Sequence, residues 1–266
     1  MIPPMRPILD QPFLIVLIAA ALLGAATVLG QFCAARDPVA GGENPLAPIQ
    51  GATLGLAGLL IAFSFSMALH RYEQRRTLVV EKANAIGTTA LRASLLPAPF
   101  GDAATPLLRR YVAARLAYFA AGTAPAAIAA AEAGAARLQG RLWQLAEHAA
   151  GPAPNAITAS FVRSLNQMID LEAERDAARR NRLPPVVWAG LLVVTLGASF
   201  FTGSSLRGRH PLALATLPLI LALVLGMIGE LDTPRGGLVQ ISQHSMVRLQ
   251  AGLAAGRAGP LRSPPP

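Results

Sequence analysis

The chain has 266 residues, 53% of them apolar and only 14% charged, with a formal net charge of +9. An average soluble domain carries about a quarter charged residues, so this composition excludes a disordered polypeptide and a basic nucleic-acid-binding domain. The apolar residues fall into four blocks near the two ends, with a more polar middle, the distribution of a membrane protein.

A helix needs about 20 apolar residues to cross a hydrocarbon core of about 30 Å. The first uncharged block, Phe13–Gly30, predicts a span over about residues 12–33. Arg6 ahead of it is the mark of a signal peptide, but the block is long and a second span follows within one short loop, so a retained anchor is expected. Cys33, the single cysteine, has no partner for an intrachain disulfide. Gln31-Phe32 before it lacks the small residues of a lipoprotein cleavage site, so an unmodified thiol is expected.

The second block, Gly51–Leu69, predicts a span over 51–70. Beyond it Tyr72, Val79, Val80, Ala83, Ile86, Ala90 and Leu91 keep helical period to Leu95-Leu96-Pro97, so the span should run on as one long helix. Thr105-Pro106 offers an N-cap with proline at the first helical position, followed by Leu108, Tyr111, Val112, Arg115, Leu116 and Phe119 at helical spacing. Ala135, Leu138, Leu142 and Leu145 mark another helix. Gly151-Pro152-Ala153-Pro154-Asn155 breaks the chain and caps one carrying Ile157, Phe161, Leu165 and Met168. After Pro184-Pro185 come spans at about 185–205 and 211–229, and the Gly/Pro-rich tail from Gly256 is expected to be disordered. No strand-like alternation occurs. The expectation is an all-α membrane protein with hairpins at 1–70 and 184–230, a helical domain at 71–183 and a C-terminal segment at 231–266.

Arginine placement sets orientation. Arg71, Arg75, Arg76 and Lys82 follow span two, and Arg175, Arg179, Arg180 and Arg182 precede span three, whereas the first loop sets Arg36 against Asp37 and Glu43. The 71–183 domain and both termini are therefore expected on the cytoplasmic side of a bacterial inner membrane. Arg207 and Arg209 in the outer loop run against this, two charges against eight.

Enzyme signatures are absent: no phosphate-cradling loop, no GxSxG, no HExxH, and four scattered histidines. Neither catalysis, a metal nor a cofactor is expected. Asp170, Glu172, Glu174 and Asp176 alternate with Arg175, Arg179 and Arg180, and the reading favoured over a metal site is a solvated or inter-subunit helix face. Span two is more informative. At 100° per residue, Gly55, Leu59, Ala62, Phe63, Ser66 and His70 share one face, small, then bulky, then polar, with Arg71 following. Two readings of this face stay open. It is either a packing face, with Gly51-x-x-x-Gly55 at a helix–helix contact, or a pore lining with an apolar constriction and a cationic inner mouth that would favour anions.

The runs GLLIAFSFSMALHRYEQRRTLVVEKANAIGTTALRASLLP (58–97), LLRRYVAARL (107–116) and GELDTPRGGLVQIS (229–242) resemble the bacterial bestrophin-like membrane proteins, and through them the bestrophin channels. That resemblance implies a pentamer with four spans per subunit, cytosolic termini and a pore built on the second span. It implies a neck of apolar residues spaced four apart at Gly55, Leu59 and Phe63, where glycine leaves two bulky layers. Asp232-x-Pro234-x-Gly236 resembles the bestrophin turn after span four, with Arg235 in place of an aromatic. The acidic calcium-binding run is missing, so calcium gating is not implied. The expected function is an ion channel, with a non-conducting membrane-anchored scaffold of the same fold as the alternative.

Overall fold

A computed structural model of the protein describes residues 12–36, 47–151, 155–206 and 211–256, and every regular element among them is an α-helix. In chain order these are α1 (Pro12–Arg36), α2 (Ala47–Ala93), α3 (Phe100–Ala120), α4 (Pro125–Ala150), α5 (Ala156–Arg180), α6 (Pro185–Ser205), α7 (Pro211–Asp232) and α8 (His244–Ala254). Helices α1, α2 and α7, and the stretch that ends in α6, contain segments long and apolar enough to cross a membrane. The fold is an all-α, multi-pass membrane architecture. Span two continues into one 47-residue helix, in keeping with its unbroken periodicity. Arg6, Asp37, Glu43, Pro152, Pro154, Arg207, Arg209, His210 and the tail beyond Gly256 lie outside the described residues.

The chain divides into two compact units, residues 1–72 with 181–240, and residues 73–180 with 241–266. In the first unit α1 packs against both α6 and α7, burying Ala19 and Leu23 in a core with Leu191, Leu225 and Ile228. The α1–α6 contact is made by backbone. A side-chain carbon on Gly30 would run into the Phe200 carbonyl, and one on Gly203 into the Thr27 carbonyl. Lipid tails are as apolar as leucine, so helices in a bilayer associate through close packing that small residues permit. Two buried hydroxyls there are satisfied within their own helix: Thr27 donates to the Leu23 carbonyl at 2.9 Å and Thr195 to that of Leu191 at 2.6 Å. The sequence pointed instead to Gly51-x-x-x-Gly55 as a packing motif. Neither glycine has an atom within 4 Å of its would-be side chain. Within the chain, Gly30 and Gly203 take the role expected of that motif.

The second unit packs α3 against α4 and α8, and α4 against α5. Its core gathers Ile86, Leu108, Val112, Leu142, Phe161, Leu165 and Met246, the apolar positions of the helical stripes. Asn155 caps α5 as its position predicts, its Oδ1 accepting from the Ile157 and Thr158 amides at 2.9 Å each. Helix α3 differs from expectation. It begins at Phe100 with Asp102 in its first turn, and Pro106 lies inside it. Proline there forfeits one hydrogen bond near the N-terminus, while the corner before it is tightly built: a side chain on Gly101 would come 2.9 Å from the Ala93 carbonyl oxygen. Thr105 donates its hydroxyl to the Gly101 carbonyl at 3.4 Å instead of capping.

Candidate functional site

Within the first unit α2 is two-faced. Ala57, Ser64 and Ala68 are buried, and Leu60, Ile61 and Phe65 pack on the core. Gln50 Nε2 donates to Thr202 Oγ1 at 3.4 Å, and Thr53 Cγ2 stands 3.5 Å from where a Gly197 side chain would begin. The other face holds the predicted stripe. Gly55, Ala62, Ser66 and His70 are exposed, and Leu59 and Phe63 are 52% and 61% exposed. Among the described residues of this unit no helix covers it. Exposed apolar side chains also occur on α1, α6 and α7, Val193 and Leu212 among them, as a lipid-facing surface requires. What sets the α2 stripe apart is its grading from Leu59 and Phe63 into Ser66 and His70, which hydrocarbon solvates poorly.

At the end of that stripe the two basic neighbours part. His70 is exposed, whereas Arg71 Nη1 lies 3.9 Å from Asp232 Oδ1. The same Asp232 oxygen accepts from the Leu183 amide at 2.9 Å, so one buried carboxylate at the end of α7 binds the start of the third span and the end of the second. Pro234 follows it in the turn. Gly236 and Gly237 adopt positive φ of 80° and 128°, conformations that favour glycine. Glu230 folds back over this turn, its Oε1 accepting from the Val239 amide at 2.6 Å, and it stands where a Gly237 side chain would go.

A second polar constellation lies in the second unit. Lys82 on α2 is fully buried and donates to the Met168 carbonyl. Its Nζ is 3.4 Å from Glu172 Oε2, while Arg115 Nη2 reaches Glu172 Oε1 at 2.6 Å and Arg175 Nη1 reaches Oε2 at 3.9 Å. Tyr111 Oη accepts from Gln139 Nε2 at 3.1 Å and donates to Glu172 at 3.4 Å. Burial, helped by Arg115 and Arg175, lowers the Lys82 amine to about 7 against the pull of Glu172. Burial also lowers Arg175 to about 10 and raises the Tyr111 phenol. At Glu172 burial acts upward, but Arg115, Lys82 and Arg175 outweigh it and hold the carboxyl below its usual range.

The sequence reading of 170–176 as a solvated or inter-subunit face therefore holds only in part. Asp170 and Glu174 are exposed and Asp176 pairs with Arg179 and Arg180, but Glu172 and Arg175 turn into the unit. One signal pointed inward: Arg115 falls on an otherwise apolar stripe. Among the described residues no group of His, Cys, Asp and Glu is arranged to hold a metal ion.

The family model of the bestrophin-like domain matches residues 14–246, so the chain belongs to the bestrophin-like family. Comparison with curated proteins and with solved structures finds no match.

Proposed function

We propose that this member of the bestrophin-like family is an oligomeric ion channel of the bacterial inner membrane, with the second spans of its copies around a common axis. The observation that carries this reading is the exposed stripe of α2, where Leu59 and Phe63 are each more than half exposed among the described residues. A ring of copies, five by analogy with bestrophin channels, gives that stripe an interior to face. Leu59 and Phe63 then form two apolar layers that gate by dewetting, Gly55 leaves the entrance wide, and Ser66 and His70 line the way out. The second unit and both termini lie on the cytoplasmic side in this arrangement. The permeant species is a small ion. Because Arg71 is engaged by Asp232, it is His70, exposed on the stripe, that lines the inner mouth.

Flux through liposomes holding wild type or Leu59→Ala/Phe63→Ala, with thermal stability measured in parallel, tests the proposal. Truncating two fully buried side chains of these types would cost roughly 5–10 kcal/mol together. Both are more than half exposed in the chain, so the variant should lose far less than that while its flux rises above wild type. A strongly destabilised variant with flux no greater than empty liposomes would refute the assignment.

A further inference from the structure

Around Glu172 the second unit gathers more buried positive charge than that one carboxylate matches. Lys82, Arg115 and Arg175 are each at most 4% exposed, and all three converge on Glu172 alone. Among the described residues of the unit, Glu73, Glu81, Asp102, Glu132, Glu147, Asp170 and Glu174 are exposed. Asp176 is taken by Arg179 and Arg180. Aromatic rings soften the surplus: the Arg115 and Arg179 guanidiniums lie 4.5 and 4.6 Å from the Tyr118 ring, and Arg175 lies 5.1 Å from Phe119. A ring face compensates charge but accepts no in-plane N–H bond. Arg115 Nε and Arg175 Nη1 are buried with no hydrogen-bond acceptor among the described residues, an expensive state for a charged donor.

We infer that this cluster is a binding site for one small monovalent anion of halide size, held by the guanidinium N–H groups of Arg115 and Arg175. Burial sets the size, since side chains that are 0–4% exposed leave no approach for a lipid headgroup or a nucleotide. Charge sets the valence. Lys82 sheds its proton near neutral pH, which leaves two guanidiniums against one carboxylate and a surplus of one. The anion ties α3 to α5, which carry the two arginines. This inference is independent of the channel reading, because its readout is stability and not flux.

The test is thermal unfolding of the full chain in detergent at pH 7.5 and fixed ionic strength, with sodium gluconate replaced stepwise by sodium bromide. The wild-type midpoint should rise saturably. Arg175→Gln should need roughly tenfold more bromide for half the effect, a loss of about one charge-assisted hydrogen bond, and the exposed control Arg180→Gln should match wild type. Should Arg175→Gln not fold, Glu172→Gln decides: removing the competing carboxylate should lower the half-effect concentration. Equal wild-type midpoints in gluconate and bromide would overturn the inference. So would a linear bromide dependence shared by Arg175→Gln, or an unchanged half-effect concentration in Glu172→Gln.

Discussion

Replacing Lys82 with methionine should stabilise the protein at neutral pH and leave little or no gain at pH 10. The fully buried amine holds its proton to about 7 in the folded chain, against 10.5 for an ordinary lysine. Between those values the unfolded chain binds more proton, so wild-type stability rises with pH; below about 7 both states carry the proton and stability sits at a flat minimum. Over that interval, at 1.36 kcal/mol per pH unit, the charged amine costs about 5 kcal/mol. Methionine keeps the apolar stem and gives up the bond to the Met168 carbonyl, worth about 1 kcal/mol, for a net gain of roughly 4 kcal/mol at pH 7. The neighbours titrate elsewhere. Glu172 is lowered, so the stability it brings is lost only in acid as pH falls through its folded value. Tyr111 is raised, so its contribution falls away only as pH climbs past about 10. Arg175 titrates in the folded chain at about 10. Equilibrium unfolding of both proteins in gluconate buffers from pH 6.5 to 9.5 measures the difference. If the variant shows the same rise with pH as wild type, or is less stable at pH 7, the buried-charge argument fails.

Further outcomes follow from the same contacts. Gly203→Ala should collide with the Thr27 backbone and lower thermal stability in detergent by several degrees, whereas Gly55→Ala, which meets nothing within 4 Å, should leave it unchanged. If α2 lines an ion path as proposed, Gly55→Leu should add a third apolar layer and reduce liposome flux below wild type at unchanged stability; a rise in flux would count against that placement of position 55. Asp232→Ala strands the Leu183 amide and Arg71 and should cost about 2–4 kcal/mol of unfolding free energy. Asp176→Asn, at a part-exposed ion pair, should cost no more than about 1 kcal/mol, measured in the same assay.

The helices were legible because each announces itself locally: an uncharged run for a span, an apolar stripe for a packed face, and Asn155 after a proline-rich break for a cap. The α2 stripe was legible for the same reason, since six residues on one helix fix their shared face without reference to any other. Properties that depend on a second element were not. Gly30 and Gly203 lie 173 positions apart, and nothing in either neighbourhood names the other, while Gly51 and Gly55 advertise a close contact that is not made among the described residues. Glu172 looked like one of four alternating acids, and only the placement of Lys82, Arg115 and Arg175 around it separates it from Asp170 and Glu174. Lys82 and Arg175 were read as topology markers, a role that depends on charge alone and says nothing of where the side chain ends up. The start of α3 shows the converse. Thr105-Pro106 is a good local cap signal, yet the tight corner at Gly101 begins the helix earlier.

The Gly30–Gly203 contact also bears on the timing of synthesis. At about 5–20 residues per second, the first span leaves the ribosome some 10–35 s before the segment it must lock against has been made. During that interval the groove around Gly30 is fitted to a helix that does not yet exist. Chains interrupted before residue 200 would lack the α6 backbone that fits against Gly30.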